Sequence, residues 1–387
     1  MAEAGGGGRA GGDAAGGGEA GGGMAVPGWI DLLGRMVGRA PGLWRRLGDL
    51  ETRMLADELE GIGVDRPVHV AGLARAGTTV LLELLAGLPG VATHRYRDFP
   101  PGVYAPVLWD RAFSRVYKGG AAPAERAHQD RVMVTPDSPE ALEEVLWAHF
   151  HPGLHEAGGG SRVLGPEASN PAFERFYRDH LRKLLLVRRG TRYLAKGNYN
   201  LTRLGYIRRL FPDARFLVPV RDPLWHVASL MKQHALFRAA ERRDPRVLAH
   251  MRRAGHHEFG LGRRAVDVGD GAAAGVEALW ARGEEARGWA RHWNSLYRLV
   301  ARQRAADPGG LGEAAMVVRY EDLCARPRET LEAVLAHARL DPPPPAALDA
   351  MAARLSAPAY YAPGFADAER RAIDEETREA RRLVGYP

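Results

Sequence analysis

The chain of 387 residues is 45% hydrophobic and 26% charged, which allows a sizeable folded core and excludes a fibrous or wholly disordered protein. Its formal net charge of +7 predicts an anionic partner: a nucleotide, a sulfated or phosphorylated substrate, nucleic acid or a membrane surface. The one cysteine, Cys324, excludes an intramolecular disulfide framework and a cysteine-based zinc cluster, and it favours a reducing, cytoplasmic location.

The N-terminal residues 1–26 are mainly glycine and alanine, and we interpret them as a disordered tail because they bury too little surface to offset chain entropy. They lack the apolar segment of a signal peptide, and no run of about 18 apolar residues predicts a membrane span. The sequence allows translation to begin at Met1 or at Met24. Residues 27–387 are predicted to form a single domain that opens with a helical arm.

A strand, a glycine-bracketed turn and a helix follow the arm. Pro67–Leu73 is an apolar strand pattern, Gly72–Gly77 a turn, and Thr78–Leu88 a helix that ends at a Pro-Gly pair. Further strand patterns occupy Gly90–His94, Arg192–Ala195, Arg215–Val220 and Ala315–Arg319. Strands separated by helical segments predict an α/β, P-loop-like three-layer fold, with a central, mainly parallel sheet flanked by helices.

Several helices are predicted between and after these strands. The run Ser138-Pro139-Glu140 has a capping residue, a first-turn proline and an acid in the order typical of a helix start. Other helical patterns cover 171–187, Leu201–Leu210, the aromatic run from Trp280 to Val300, and Asp367–Leu383. The stretch at about 232–276, rich in Arg and His, is predicted to be an insertion or lid.

The loop before the first predicted helix has the frame of a Walker A motif without its lysine. Gly72 and Gly77 have the G-x-x-x-x-G spacing, but Thr78 stands where the motif has lysine, and Arg75 supplies a cation three residues earlier. The backbone amides before a helix can still bind an anion.

A second candidate phosphate site follows the strand Arg215–Val220. Arg221 stands at the carboxyl end of this strand, where open α/β sheets bind their ligands, and Ser229 lies two turns into the next helix. A planar guanidinium and a hydroxyl can together clamp one phosphate.

These two elements together resemble the sulfotransferases that use 3′-phosphoadenosine-5′-phosphosulfate (PAPS), and more closely their bacterial branch. The segments Phe211-Pro-Asp-Ala-Arg-Phe216 and Arg319-Tyr-Glu-Asp-Leu323 also resemble elements of that family, and the likeness spans roughly residues 65 to 340. The resemblance implies that Arg221 and Ser229 bind the 3′-phosphate. It also implies that the 5′-phosphosulfate is held by Arg75, Ala76, Gly77, Thr78, Thr79 and Val80.

The resemblance further implies a catalytic lysine and leaves the general base open. Lys196 resembles the lysine at the strand end in the family, whereas Asn198 stands where cytosolic members have a catalytic histidine. Asparagine cannot accept a proton at neutral pH. We therefore predict the base in the segment from His94 to Asp98, at one of these two residues. Reserve candidates are His128, Glu140 and Glu144, the last two at the predicted helix start.

The adjacent residues His256, His257 and Glu258 are not predicted to bind a metal, because neighbouring side chains on a helix point about 100° apart. Residues 255–264 are either a lid or part of the acceptor site, or alternatively a solvated loop. No metal cofactor is expected.

The sequence thus predicts a cytoplasmic, PAPS-dependent sulfotransferase whose acceptor is a hydroxyl, or alternatively an amine, on a small molecule, a glycan or a lipid. One alternative is a P-loop kinase of a small metabolite, which requires Mg²⁺ and a lysine after Gly77. The other is a non-enzymatic module that binds anions or nucleic acid, but no aromatic-interleaved basic motif supports nucleic-acid binding. The identity of the acceptor and the oligomeric state are left open.

Overall fold

A parallel five-stranded sheet forms the centre of the molecule. The structure is a computed structural model, and it describes residues 24, 26–117, 122–125, 133–156, 161–357 and 362–387. The strands of this sheet, in the order β2-β5-β1-β6-β7, are β1 Val68–Val70, β2 Val91–Ala92, β5 Arg192–Lys196, β6 Arg215–Val220 and β7 Ala315–Arg319. A separate antiparallel pair consists of β3 Ala124–Glu125 and β4 Met133–Val134.

Helices precede, connect and follow these strands. In chain order they are α1 Gly28–Arg39, α2 Pro41–Met54, α3 Ala56–Leu59, α4 Thr78–Ala86, α5 Pro106–Val116, α6 Glu144–Phe150, α7 Pro171–Arg188, α8 Leu204–Leu210, α9 Pro223–Arg243, α10 Pro245–Arg253, α11 Ala272–Ala281, α12 Glu285–Ala306, α13 Tyr320–Ala325, α14 Pro327–Ala338, α15 Pro345–Ala353 and α16 Asp367–Leu383. Short 3₁₀ turns lie at Tyr96–Asp98, Pro101–Val103, Asn198–Thr202 and Gly260–Gly262, and a single π turn lies at Pro308–Gly312.

The central sheet has a hydrophobic core on each face, because successive side chains of a strand point to opposite sides. Along β5, Tyr193 and Ala195 join the core made with α6, α7, α8 and α12, whereas Leu194 joins the core made with α4, α14 and α15. Along β6, Phe216 and Leu217 divide in the same way. The predicted three-layer α/β fold with a parallel sheet flanked by helices is therefore confirmed.

The strand order reverses at β1, and this position determines where a ligand can bind. β1 pairs with β5 on one edge and with β6 on the other. The chain leaving the carboxyl end of β1 runs through α4 to β2 on one side, whereas the chain leaving β5 runs through α8 to β6 on the other side of β1. Open α/β sheets have their binding crevice where two such connections diverge. The segments that follow β1, β5 and β6 therefore meet at one edge of the sheet.

The predicted helix start at Ser138-Pro139-Glu140 is wrong, since α6 begins only at Glu144. The Ser138 carbonyl accepts a hydrogen bond from the Tyr96 amide, and the Glu140 amide donates to the His94 carbonyl, both at 3.0 Å. Pro139 lies between them in an isolated antiparallel bridge with Arg95. Pairing with the chain after β2 thus overrides the local helix-capping preference.

The aromatic run from Trp280 to Val300 is two helices rather than one. Trp280 belongs to α11, and the chain reverses at Gly283, whose φ of +81° is accessible to glycine at little cost. α12 then packs back against α11, which brings the Trp280 and Trp289 rings within 4.7 Å of each other.

The first two helices attach to the body of the protein through buried acidic residues. Asp31 of α1 pairs with Arg253 of α10 at 2.5 Å, and Glu51 of α2 pairs with Lys183 of α7 at 3.0 Å. Met24 is also buried, so packing begins before the predicted domain boundary at residue 27.

The segment predicted as a lid, at about 232–276, begins within α9 and contains α10 and the loop that follows it. Among the described helices, none combines the length and the apolar character that a bilayer span requires.

Candidate functional site

The candidate site lies at the carboxyl ends of β5, β1 and β6. Lys196 ends β5 directly opposite Val70 of β1, and the next amide, at Gly197, donates to the Val70 carbonyl at 3.0 Å. The glycine-bracketed loop leaves β1 immediately after this pair, and Arg221 follows β6. Three segments far apart in sequence are thus brought together, because the carboxyl ends of parallel strands lie at the same edge of the sheet.

The loop between β1 and α4 has a backbone conformation that few residue types tolerate. Gly77 has φ +94°, and a Cβ at this position would lie 2.8 Å from the Tyr320 ring. Arg75 has φ +74°, which is costly for a residue with a side chain. This uncommon geometry at a non-glycine residue is typical of functional loops, and here it places the cation of the loop before the N-terminus of α4.

A buried histidine holds the loop from behind. His226 of α9 donates from Nε2 to the Ala74 carbonyl at 2.9 Å and accepts at Nδ1 from the Trp293 indole at 3.1 Å. Burial lowers the pKa of His226 to about 3, so the ring is neutral and can serve as donor and acceptor at once. Its hydrogen bonds connect the loop to α9 and α12.

The residues predicted to bind the two phosphates lie beside one another. Arg75 donates from Nε to the Ser229 hydroxyl at 3.3 Å. Arg221 is buried, and its guanidinium carbon lies 5.0 Å from the centroid of the Tyr320 ring. Glu321 accepts from the Asp222 amide at 2.9 Å and so supports the turn that carries Arg221. The Tyr-Glu-Asp element singled out in the sequence therefore contacts this turn.

A cavity opens beside the loop. Among the residues predicted from the sequence, it brings together the cation and the hydroxyls of the loop, the lysine at the end of β5 and one segment of the predicted lid. Its walls include Ala74, Arg75, Thr78, Thr79, Glu140, Glu143, Glu144, Lys196, Asn198, Tyr199, His256 and Glu258. This composition of cations, hydroxyls, an imidazole and carboxylates suits an anionic ligand that reacts with a second molecule.

Three of the cavity side chains form a chain of polar contacts. Asn198 donates from Nδ2 to Glu258 Oε1 at 2.8 Å, and Glu258 Oε2 lies 2.9 Å from His256 Nδ1. Burial opposes ionisation of Glu258, but His256 and Asn198 hold the pKa of its carboxyl well below the usual range. Glu258 is therefore a carboxylate that can orient the imidazole of His256.

The other carboxylates differ in how tightly they are bound. Glu144 accepts two hydrogen bonds from Arg203, at 2.7 and 2.8 Å, and contacts His155 Nε2 at 2.7 Å. Although burial opposes it, the charge of Arg203 and the contact with His155 lower the pKa of Glu144 to about 2. Glu140 also lines the cavity and accepts from the adjacent Ala141 amide at 2.6 Å. Glu144 is thus held as part of an ion pair.

His94 and Asp98, the predicted bases, belong to a buried network outside these cavity walls. His94 Nε2 lies 3.0 Å from His180 Nε2, and Asp98 accepts from Arg188 at 2.5 Å. Burial raises the pKa of Asp98, but the hydrogen bond from His94 and the charge of Arg188 outweigh it and lower this pKa to about 2. His128, the reserve candidate, lies outside the described residues.

A second cavity lies behind Tyr199. Most residues of its wall are polar or charged, among them Glu156, Arg162, Arg203, Arg264, Asp267 and Glu277, and apolar surface comes from Leu154, Ala265, Val266 and Ala273 beside Tyr199. A narrower space shares Asn198 and Glu258 with the wall of the first cavity, and Arg264 and Val266 with the wall of the second. Within the described ranges, no group of three or more His, Cys, Asp or Glu side chains is arranged to hold a metal ion.

Sequence reasoning did not find the roles of His226, His256 and Glu258. The sequence signal for the last two was the segment 255–264, but adjacency alone does not tell which side chain faces a cavity. His226 offers no local signal, because its partners Ala74 and Trp293 are distant in sequence.

Comparisons with known proteins agree with this geometry. A model described as "Sulfotransferase family" matches residues 67–267, slightly more than half of the chain. The structure of sulfotransferase STF9 from Mycobacterium avium has a TM-score of 0.50 and 17% identity, covering 87% of this chain and 82% of that one. Sulfotransferase STF1 from Mycobacterium tuberculosis gives 0.46 and 18%, covering 89% and 86%. A search of curated proteins found no match. At 17% identity, the likeness to STF9 shows a shared fold alone.

Proposed function

The chain belongs to the sulfotransferase family, and from this premise we propose that it transfers a sulfuryl group from PAPS to the hydroxyl of an acceptor, with an amine as the alternative. The observation that carries the proposal is the hydrogen bond between Arg75 and Ser229 next to the buried Arg221. It joins the two predicted phosphate sites into one anion-binding surface. A kinase would instead need a lysine where Thr78 stands.

The proposed positions of the nucleotide follow from the two sides of this surface. The amides and side chains of Arg75, Ala76, Gly77, Thr78, Thr79 and Val80, at the N-terminus of α4, hold the 5′ end. Arg221 and Ser229 hold the 3′-phosphate. An open cavity beside Arg221, with Trp225 and Tyr320 among its walls, offers aromatic surfaces to the adenine ring.

The proposed reaction forms one bond to sulfur and breaks another. The acceptor oxygen attacks the sulfur, the bond from sulfur to the 5′-phosphate oxygen breaks, and the acceptor proton passes to a base. The products are a sulfate ester and adenosine 3′,5′-bisphosphate. Negative charge develops on the departing phosphate, where Lys196 and Arg75 supply cations at the cavity wall.

We place the general base at His256. When its Nδ1 carries the proton that faces Glu258, the lone pair is on Nε2, which can accept the acceptor proton. Glu258 is the positioning residue for this tautomer, and Asn198 in turn orients Glu258. His94 and Asp98 remain predicted bases to be compared with it, although each is engaged in the buried network with His180 and Arg188.

The acceptor is proposed to approach through the second cavity. Apolar walls such as Leu154 and Val266, together with the exposed Arg264, suit a small molecule, a glycan or a lipid that carries an apolar part. The single cysteine supports a cytoplasmic location.

Calorimetry with adenosine 3′,5′-bisphosphate in the presence of a chelator tests the proposal. We expect binding without Mg²⁺, weakened roughly tenfold to a hundredfold in Arg221→Ala because a charge-assisted phosphate contact is lost. Arg209→Ala, a cation paired with Glu174 elsewhere, is the matched control and should bind as the unmodified protein does.

Two results would contradict the proposal. One is much tighter binding of ATP with Mg²⁺, which the kinase alternative predicts. The other is equal affinity for bisphosphate in Arg221→Ala and in the control. Screening labelled PAPS against metabolite extracts then identifies the acceptor.

A further inference from the structure

Large apolar side chains are exposed along the two N-terminal helices. Other exposed residues of this kind in the described part of the chain, such as Val116, Met133 and Leu383, are scattered over separate elements. Those on α1 and α2, which we call the arm stripe, are exposed by 43% to 63%: Trp29, Leu32, Met36, Leu43, Leu50 and Met54. A concentration of exposed apolar surface on one element usually marks an interaction site.

The arm stripe occupies one face of each helix. On α1 its members are three and four residues apart, and on α2 they are seven and four apart, which places them on one side at 3.6 residues per turn. Two of the three acids of these helices are turned the other way, since Asp31 and Glu51 are buried in ion pairs with the body of the protein, whereas Asp49 is partly exposed.

Arginines accompany the arm stripe in a regular pattern. Each one follows a stripe residue by three positions and lies on the same flank: Arg35 after Leu32, Arg39 after Met36, Arg46 after Leu43 and Arg53 after Leu50. These four are the charged residues of α1 and α2 that are exposed; Arg35 also pairs with the buried Asp31 at 2.8 Å. The outer face of the arm is therefore apolar and cationic.

We propose that the arm binds the surface of an anionic lipid bilayer, with the arm stripe inserted among the lipids and the arginines at the headgroups. An amphipathic helix with Trp and Leu on one side and arginines at its flank is the usual element for this contact. The proposal rests on the arm alone and is independent of the proposed function.

The charge pattern disfavours the two other occupants. In a two-fold dimer the same face would meet itself and set arginine rows against one another, because the nearest exposed acids, Asp57 and Glu58, lie beyond the arm stripe on α3. Residues 1–23, which precede the arm, contain no apolar side chain larger than alanine except Met1, so they offer little to bury the stripe.

Vesicle co-sedimentation of the full chain tests the proposal. Vesicles of phosphatidylcholine alone are compared with vesicles containing about 30% phosphatidylserine, at low and high salt. We expect at least tenfold stronger binding to the anionic vesicles, reduced by salt. Leu32→Ser with Leu43→Ser and Leu50→Ser should lose roughly tenfold or more on both vesicle types, and Arg39→Gln with Arg46→Gln and Arg53→Gln should lose the preference for anionic lipid.

The control is Leu261→Ser with Leu383→Ser, two exposed leucines outside the arm, which should bind as the unmodified protein does. Circular dichroism checks that each variant folds. We expect this because the changed side chains are exposed and contribute little to the core. Absence of vesicle binding, or equal binding by the stripe variant, overturns the proposal. So does sedimentation of the unmodified protein as a dimer that the stripe variant converts to a monomer, since the stripe would then cover a second copy.

Discussion

Arg75 combines an unfavourable backbone conformation with a hydrogen bond from its side chain to Ser229. Its φ of +74° turns the chain so that the guanidinium reaches Ser229 on α9. Left-handed geometry costs a non-glycine residue roughly 1 kcal/mol or more, which the surrounding structure must offset. The hydrogen bonds of His226 to the neighbouring Ala74 are one such support.

The proposed roles of Lys196 and His256 lead to different kinetic defects. In single-turnover assays, Lys196→Ala should lower the rate at every pH while changing PAPS affinity much less, because the lysine acts on charge that develops during transfer. His256→Asn should lower the rate roughly a hundredfold with PAPS affinity nearly unchanged, since an amide side chain cannot accept the acceptor proton.

The control for this experiment is His337→Asn, a histidine of α14 that contacts the Ala314 carbonyl at 3.0 Å and lines neither cavity. His94→Asn and Asp98→Asn are measured alongside. If one of these abolishes transfer with PAPS affinity intact while His256→Asn does not, the base lies in the buried network instead.

Residue types and spacing were sufficient to single out part of the candidate site. Arg75, Arg221 and Ser229 stand out because the loop and the strand end are local patterns; the structure places Arg75 in contact with Ser229, and the phosphate-binding roles of all three stay predictions. The contact between His256 and Glu258 could not be placed, because it depends on how the loop after α10 packs against Asn198, a distant residue.

At the scale of elements, the 3₁₀ turn after β5 is joined to α6 by a buried ion pair that separates the two cavities. Arg203 and Glu144 form two parallel hydrogen bonds, and the guanidinium lies 4.6 Å from the Trp147 ring. Glu144 faces the first cavity and Arg203 the second.

Removing this ion pair should destabilise the protein in a pH-dependent way. Arg203→Met should lower the free energy of unfolding by roughly 3 kcal/mol at pH 7, because it removes the main partner of a buried carboxylate. The pKa of Glu144 is lowered to about 2 in the folded protein, from an ordinary value of 4.5. Its stabilisation is therefore fully present above pH 4.5 and is lost as the pH falls toward 2.

Urea unfolding at pH 7 and at acid pH measures this effect. The difference between Arg203→Met and the unmodified protein should shrink as the pH falls through this window. Arg209→Met, which breaks the more exposed pair with Glu174, is the control and should cost less than about 1 kcal/mol. An equal loss at both pH values would assign the effect of Arg203 to its contact with Trp147.

The elements themselves were predictable where a local pattern decides them. β6, β7 and α16 have the predicted bounds, because apolar runs and helical periodicity mark them clearly. The helix start at Ser138 failed because hydrogen bonds to the chain near His94 compete with helix formation. Helix propensity describes a segment by itself, whereas the structure that the segment adopts also depends on its hydrogen-bond partners elsewhere in the chain.

For the whole molecule, the strand order makes the proposed nucleotide site depend on the complete sheet. Its cations come from β5, β6 and the loop after β1, and each of these strands pairs with residues far away in sequence. The sequence predicted a parallel sheet but not the order of its strands, because hydrophobic runs do not specify which strands become neighbours.

A ligand that contacts all three segments should stabilise the folded state as a whole. Adenosine 3′,5′-bisphosphate at about a hundred times its dissociation constant should add roughly 2.7 kcal/mol and raise Tm by a few degrees. Scanning calorimetry measures the shift, and Arg221→Ala at the same nucleotide concentration is the control, with a smaller shift. A Tm insensitive to nucleotide in the unmodified protein would contradict a site built on the sheet.

The position of β1 also divides the site into a rigid side and a side that can move. This three-residue strand is fully buried and paired on both edges, so each of its amides can exchange with solvent only when the neighbouring strand that it bonds to separates. The slowest hydrogen exchange in the protein is therefore expected beside the phosphate loop. Across the cavity, His256 and Glu258 lie in a loop between short helical turns, where opening requires no strand to separate. Acceptors would then enter and leave beside His256, while the proposed nucleotide stays bound beside β1.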